Sequence, residues 1–317
     1  MAAPNTVELS IVAPVYNEEG NIKEFVRRIS SVVTPLVDSH EIVFVVDPST
    51  DQTIDRIASE AVANSSVRGI VLSRRFGQPM ATIAGLDSCK GRAAVVMDCD
   101  LQDPPELIPE MIAKWREGYD VVCARRRGRD GETFVKLLVS KIGYAVIERF
   151  GDVPIPRDTG DFRLISRRVI TELQRFPEAH GFLRGLVALI GLRQAEVMFD
   201  RPARFTGTGK YNRLVGSLRI GFNGVIAFSS ALLNLSTMLG LTAALASFLT
   251  ALSYTIAKLA GAGFPLGNPT IVALVLLLGG LQLICLGITG QYVGRIYDEV
   301  KRRPRYIVDY EIPVRDD

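Results

Sequence analysis

The stretch VVMDCDLQDPPELI, Val95 to Ile108, decides how the chain reads. An apolar run that begins at Ala93 leads straight into Asp98, Cys99 and Asp100. A buried strand that ends on two carboxylates calls for a cation beside them. In an open parallel sheet, ligands bind beyond the carboxyl ends of the strands. Two other segments end strands in the same way: APVYNEEG, Ala13 to Gly20, and VVDPSTDQT, Val45 to Thr53. No GxGxxG follows the first strand, which excludes the dinucleotide-binding fingerprint. Phosphates must be neutralised by other means. Paired carboxylates holding a hard divalent ion, Mg²⁺ or Mn²⁺, can do so, because such ions take oxygen ligands from one or two carboxylates plus substrate phosphates.

Around this stretch, the first ~200 residues alternate apolar strands with amphipathic helices, the pattern of an open α/β sheet. Strands are predicted at 7–16, 41–46, 67–73, 93–99 and 119–125, and helices at 19–33, 52–63, 78–88, 105–116 and 133–149. The strands are almost continuously apolar, as when helices cover both faces.

The C-terminal part is of another kind. Between Arg219 and Arg295 the only charged residue is Lys258. Leu235 to Ala257 is 23 residues without a charge, and Thr270 to Gly294 is 25. Each exceeds the roughly 20 residues that cross a bilayer as a helix. The link AGAGFPLGNP is short and rich in Gly and Pro, so the two helices are expected to form a hairpin. Arg213 and Arg219 precede it, and Arg295, Lys301, Arg302, Arg303 and Arg305 follow, which puts both ends on the cytoplasmic side. Residues 207–234 mix basic and apolar positions and read as helices lying in the membrane interface. The expected layout is an α/β domain at 1–206, interfacial helices at 207–234, the hairpin at 235–294 and a cytoplasmic tail at 295–317.

Composition removes several classes of function. The 317 residues carry 37 basic and 34 acidic side chains, too even a balance for a nucleic-acid footprint. The mean hydropathy of +0.21 is high for a soluble protein. Cys89, Cys99, Cys123 and Cys285 show no CxxC spacing and read as core thiols in a reducing compartment. With His40 and His180 the only histidines, a Ser-His-Asp triad or a multi-histidine metal site is disfavoured. The start, MAAPNTVELSIV, lacks signal-peptide form, so the first domain is expected to stay in the cytoplasm.

The ordered set of motifs resembles the family 2 glycosyltransferases of GT-A (Rossmann-like) fold, and within them the polyprenyl-phosphate glycosyltransferases. That group includes dolichol-phosphate mannose synthase and the bacterial undecaprenyl-phosphate glucosyltransferases. The matching stretches are PVYNEE (14–19), the Asp47 region, SRRFGQ (73–78), AGLD (84–87), DCDLQDPPELI (98–108), KWREGYDVV (114–122), TGDFRLI (159–165), FTGTGKY (205–211) and GQYVGRIYDEVKRRPRY (290–306). The resemblance implies that Pro14, Tyr16, Asn17 and Glu18 frame a nucleotide and that Asp47 accepts a hydrogen bond from its base. It implies that Asp98, Asp100 and Gln102 hold Mg²⁺ or Mn²⁺, with Asp100 and Asp161 as the catalytic residues. It further implies that Arg126, Arg201, Arg204 and Lys210 bind the acceptor and its phosphate. The expected partners are a nucleotide-sugar, UDP-linked by preference, a polyprenyl phosphate and further copies of the chain in a homotetramer. The expected place is the bacterial inner membrane, and the expected purpose is cell-envelope glycosylation.

Plainer readings compete at several of these residues. Asp98 and Asp100 could cap the helix near Pro105, although they point the same way from a strand end and Asp103 is better placed to cap. Glu18 and Glu19 could be first-turn helix acids, the stronger reading for Glu19. Asp161 could be a turn residue, or could orient the acceptor, or act as a base. Pro48 stands where the family usually has Gly, so the nucleotide pocket is expected to be reshaped. Arg75 stands where Asn is common, and Gly209 where a Ser or Thr often precedes the Lys. A processive polysaccharide synthase would carry a QxxRW motif, whereas the single Trp lies in KWREG. A catalytically degenerate scaffold that binds lipid phosphate or a flippase remains the alternative, supported by Pro48.

Overall fold

The computed structural model describes residues 7–127, 159–176, 183–200, 231–261 and 267–313. The helix expected at 133–149 and most of the interfacial stretch lie outside these residues, as do Arg201, Arg204 and Lys210.

Strands β1 (Leu9–Val15), β2 (His40–Val46), β3 (Val67–Leu72) and β4 (Ala93–Val96) run parallel and are almost wholly buried. Helices α1 (Ile22–Val33), α2 (Thr53–Ala63) and α3 (Gln78–Ser88) follow the first three. After β4 come a 3-10 turn at Pro105–Leu107 and α4 (Ile108–Arg116). Ile22, Phe25, Val26, Ile29 and Val33 form one apolar stripe on α1, which is why that helix lies on the sheet. Leu9, Ile11, Ala13 and Val15 of β1 share a core with α1 and α4, while Val12 packs on the opposite face with Leu86 of α3. Gly85 permits that packing, since a Cβ there would collide with Val12 Cγ1.

The sheet is mixed rather than parallel throughout. Strand β5 (Val121–Arg126) does not pair with β4. Between them lies β6 (Thr159–Ser166), antiparallel to both, and β7 (Gln194–Phe199) pairs parallel to β5. Helices α5 (Arg167–Arg175) and α6 (Leu183–Ile190) cover this end through Ile170, Leu173, Leu183 and Leu186. The strand order is β7-β5-β6-β4-β1-β2-β3-β8. The fourth strand ends at Val96, not at Cys99 as expected, because the chain turns as soon as the acidic residues begin.

Helices α7 (Ala231–Leu259) and α8 (Asn268–Val300) touch each other, with Cys285 Sγ donating to Ser236 O at 3.8 Å. By length and composition, Leu233–Ala257 and Leu277–Val300 can each cross a membrane. A soluble core helix would be covered by its own protein, yet Phe248, Leu277 and Leu286 are 64, 70 and 67 % exposed. The polar tail then returns to the sheet as β8 (Val308–Ile312), antiparallel to β3, with Ile312 buried against Gly69. Arg305 and Tyr306 anchor this return on Asp87, at 3.2 and 2.9 Å. Burial and the neighbouring Asp87 push the Tyr306 phenol up to about 12, so it stays a donor.

Candidate active site

The carboxyl ends of β1, β2 and β4 lie side by side, and the loops that leave β1 and β2 are tied together. Asn17 has φ 53°, a left-handed conformation that Asn adopts more readily than most residues. Its backbone N–H donates to Ser49 Oγ at 3.1 Å and its side-chain amide to Thr50 Oγ1 at 3.1 Å. Thr50 N–H donates back to Asn17 Oδ1 at 2.8 Å. Glu18 N–H donates to Thr53 Oγ1 at 2.9 Å, and Gln52 N–H to Glu19 Oε2 at 2.8 Å. Pro48 therefore sits in a loop tied through Ser49, Thr50 and Thr53.

Asp47, at the end of β2, is 3 % exposed. Its two oxygens accept the N–H groups of Phe76 and Gly77 at 3.0 and 2.9 Å, which fastens the 73–77 loop beside the strand end. Each carboxylate oxygen has a second lone pair with which to accept from a ligand. On the same side, the Arg75 guanidinium lies 4.0 Å from the centroid of the Tyr16 ring. Pro14 is partly buried near the end of β1, paired with Val45. The five residues expected to frame a nucleotide thus occupy adjoining strand ends and loops.

The acidic turn comes next. Met97 N–H donates to Val12 O at 3.1 Å, and the chain then leaves the sheet. Leu101 has φ 60°, a costly conformation for leucine, so the turn holds backbone strain between Asp100 and Gln102. Three hydrogen bonds keep it in place. Gln102 N–H donates to Asp100 Oδ1 at 3.0 Å, Asp98 N–H to Asp103 Oδ2 at 3.3 Å, and the Gln78 amide to Asp98 Oδ1 at 2.7 Å. Asp103 accepts from the Asp98 N–H and so closes this turn, and Pro104 occupies the cap position of the following 3-10 turn. Burial pushes the Cys99 thiol well up, and Glu18, Asp100 and Asp98 add to the effect, so three carboxylates act on one buried thiol. Among the described residues no cluster of three or more metal-binding side chains is complete. Two carboxylates whose remaining ligands come from substrate oxygens nevertheless match what Mg²⁺ requires, and the donor set fits a divalent ion on those terms.

Beside the turn, β6 carries Asp161 and Arg163. Val96 of β4 pairs with Arg163, and two residues further along each segment stand Asp98 and Asp161. Arg184 of α6 donates from Nε to Asp161 Oδ1 at 2.8 Å. Arg163 is 2 % exposed and donates from one terminal nitrogen to Gly160 O at 2.8 Å. The Arg126 guanidinium, from the end of β5, lies 3.8 Å from where a Gly160 Cβ would stand. Burial would raise the Asp161 carboxyl, but Arg184, Arg163 and Arg126 outweigh it and hold the group below the usual carboxylate range. Arg126 and Asp161 thus lie on neighbouring strands, near enough for Arg126 to lower the Asp161 carboxyl. Sequence reasoning gave no role to Gln78, Arg163 or Arg184. Gln78 and Arg163 lie inside quoted motifs, whereas Arg184 had no signal beyond its type.

An α/β sheet with an acidic turn beyond β4 and an antiparallel strand inserted beside it has the architecture of a GT-A glycosyltransferase. The chain belongs to glycosyl transferase family 2, whose model matches residues 10–174. It is 44 % identical over 308 residues to an uncharacterized glycosyltransferase of Synechocystis sp., covering 96 % of this chain and 95 % of that one. It is 35 % identical over 302 residues to the SfII prophage-derived bactoprenol glucosyl transferase of Shigella flexneri, covering 95 % and 97 %. Among solved structures it resembles glucosyl-3-phosphoglycerate synthase from Mycobacterium tuberculosis, crystallised with Mg²⁺ and UDP. There the TM-score is 0.50 at 25 % identity, over 70 % of this chain and 79 % of that one.

Proposed function

We propose that this glycosyltransferase moves a hexose from a nucleotide-sugar, UDP-linked by preference, onto a polyprenyl phosphate at the cytoplasmic face of the membrane. The observation that carries the reading is the meeting of two opposite fields at one end of β4 and β6. An acidic turn suits a metal-bound diphosphate, and beside it an arginine-ringed carboxylate suits a second anion. Similarity to a bactoprenol glucosyl transferase over nearly the whole chain supports the lipid acceptor, and the two long apolar helices support the membrane. Similarity to a synthase crystallised with Mg²⁺ and UDP supports the donor and the ion.

In this reading Pro14, Tyr16, Asn17, Glu18 and Asp47 hold the nucleotide. Asp98, Asp100 and Gln102 hold Mg²⁺ or Mn²⁺. That ion, when bound, supplies Lewis-acid stabilisation of the departing diphosphate. The acceptor's second phosphate pKa is about 6, so it is largely dianionic at neutral pH and needs little help from a base. Asp161 is ionised throughout that range and serves to orient, while Arg126, with Arg201, Arg204 and Lys210, draws the anion in. Direct attack by the lipid phosphate is a single displacement and inverts the anomeric carbon.

The layout adopted is a catalytic domain at 1–206, interfacial helices at 207–234, a membrane hairpin at 235–294 and a tail at 295–317, with both ends cytoplasmic. The helices α7 and α8 run past the hairpin limits at both ends. Gly279, Gly280, Gly287 and Gly290 of α8 have no atom within 4 Å of where a Cβ would stand, which supports close approach by further copies in a homotetramer.

The test is a donor screen. The purified full chain, undecaprenyl phosphate and Mg²⁺ or Mn²⁺ are incubated with a panel of UDP- and GDP-sugars, following nucleotide release and lipid product. Product from one donor, lost in Asp100→Ala, is expected. Silence across the panel, with no nucleotide binding, would favour the scaffold alternative.

A further inference from the structure

Three guanidinium groups converge on one carboxylate at the end of β5 and β6. Arg184 contacts Asp161 directly at 2.8 Å, Arg126 lies against Gly160, and Arg163 is buried below with its Nε lacking a hydrogen-bond partner among the described residues. A purely structural ion pair needs one arginine. At the observed side-chain exposures of 28 and 37 %, the Arg184–Asp161 pair adds little to stability. A buried guanidinium beneath it is a cost to the fold unless an anion offsets it. The cluster is therefore built for an incoming anion. It stands beside the acidic turn, on the neighbouring strand β6, where an anion would lie next to whatever the turn holds.

We propose that Arg184 seats the phosphate of the acceptor, with Asp161 fixing its guanidinium and Arg163 adding charge from beneath. The inference rests on the acceptor reading above. The chemistry recognised is a phosphate monoester dianion, which a planar guanidinium binds in a fork that lysine cannot reproduce. Helix α6 carries Arg184 on its first turn and is anchored through Leu183 and Leu186 in the core, so the side chain starts from a fixed backbone.

The test uses the full chain in detergent with four probes: citronellyl phosphate (a soluble isoprenyl phosphate), citronellol, inorganic phosphate and UDP with Mg²⁺. Binding is read by calorimetry. Arg184→Gln is expected to weaken citronellyl phosphate about ten- to a hundredfold and leave UDP unchanged. Arg184→Lys, which keeps the charge but loses the fork, should fall between. Unchanged UDP binding also reports that the variants are folded. Inorganic phosphate bound as tightly as citronellyl phosphate, and lost in the same variants, would reassign the site to free phosphate and overturn the acceptor role. A loss of UDP binding in Arg184→Lys, with citronellyl phosphate unaffected, would assign the residue to the donor. Wild-type protein that binds citronellyl phosphate no better than citronellol would overturn the acceptor reading itself. An effect absent from both variants would overturn only the assignment of Arg184.

Discussion

Around the ends of β1, β2 and β3, the joining is done by hydroxyls, amides and backbone N–H groups. Asn17 exchanges hydrogen bonds with Thr50, and Asp47 gathers the Phe76 and Gly77 amides. Around the ends of β5 and β6, guanidinium groups from three separate elements close on Asp161. The first end is a frame that exists before any ligand arrives, because its polar groups already satisfy one another. The second is a concentration of charge whose natural complement is an anion. Parallel β-α units build the first, and an inserted antiparallel strand builds the second.

The sharpest way to break this comparison is at the turn between the two ends. Asp100→Ala should lower transfer at least about a hundredfold, the scale of a lost electrostatic contact to a reacting group, read as nucleotide release dependent on lipid phosphate. Full activity in that variant would remove the turn from the reaction. The next effect falls on the frame. Asp47→Asn turns an amide N–H toward a backbone N–H, and should cost about 1–3 kcal/mol, seen as a lower midpoint in thermal unfolding together with a weaker hold on UDP. A smaller contrast tests the left-handed residue in the same frame. Asn17→Ala loses the side-chain ties and adds strain at φ 53°, whereas Asn17→Gly loses only the ties. Alanine should therefore be the worse by about 1 kcal/mol.

The last prediction is that one change does little. Asp161 is held below the ordinary carboxylate range, so its charge survives acidification from pH 7 to about 5. Because its folded pKa is depressed, the stability it contributes is present above the unfolded value near ~3.9 and is lost only as pH falls through the lower folded value. A carbon-detected NMR titration of the Asp161 carboxylate would follow this directly. A midpoint above the ordinary value would mean that the arginines do not act as a cluster.

The two ends were also unequally legible. Strands β1 to β4 could be read because each is a continuous apolar run, and α1 and α2 because each carries an amphipathic pattern. TGDFRLI carries a legible motif but no strand signal. It opens on polar residues, and its partners in β4 and β5 lie far away in the chain, where no periodicity reports on them. VDYEI hid in the same way, since four of its five residues are exposed and only Ile312 enters the core. Asp98 and Asp100 were found by their abruptness after an apolar run. The strain at Leu101 and the closure by Asp103 were not, because both depend on how the chain turns rather than on residue type. Arg163 was visible as a letter, but a fully buried arginine is the opposite of what its type suggests.

The return of the tail has a mechanical consequence. The chain enters the hairpin region after β7 and comes back as β8, and these are the two outermost strands of the eight. Seven inter-strand steps of about 4.8 Å separate them. The outermost strand beside β3 is thus supplied by the chain beyond α8. A single cut between Val300 and Val308 would leave β8 joined to the sheet by its ladder to β3 rather than by the chain.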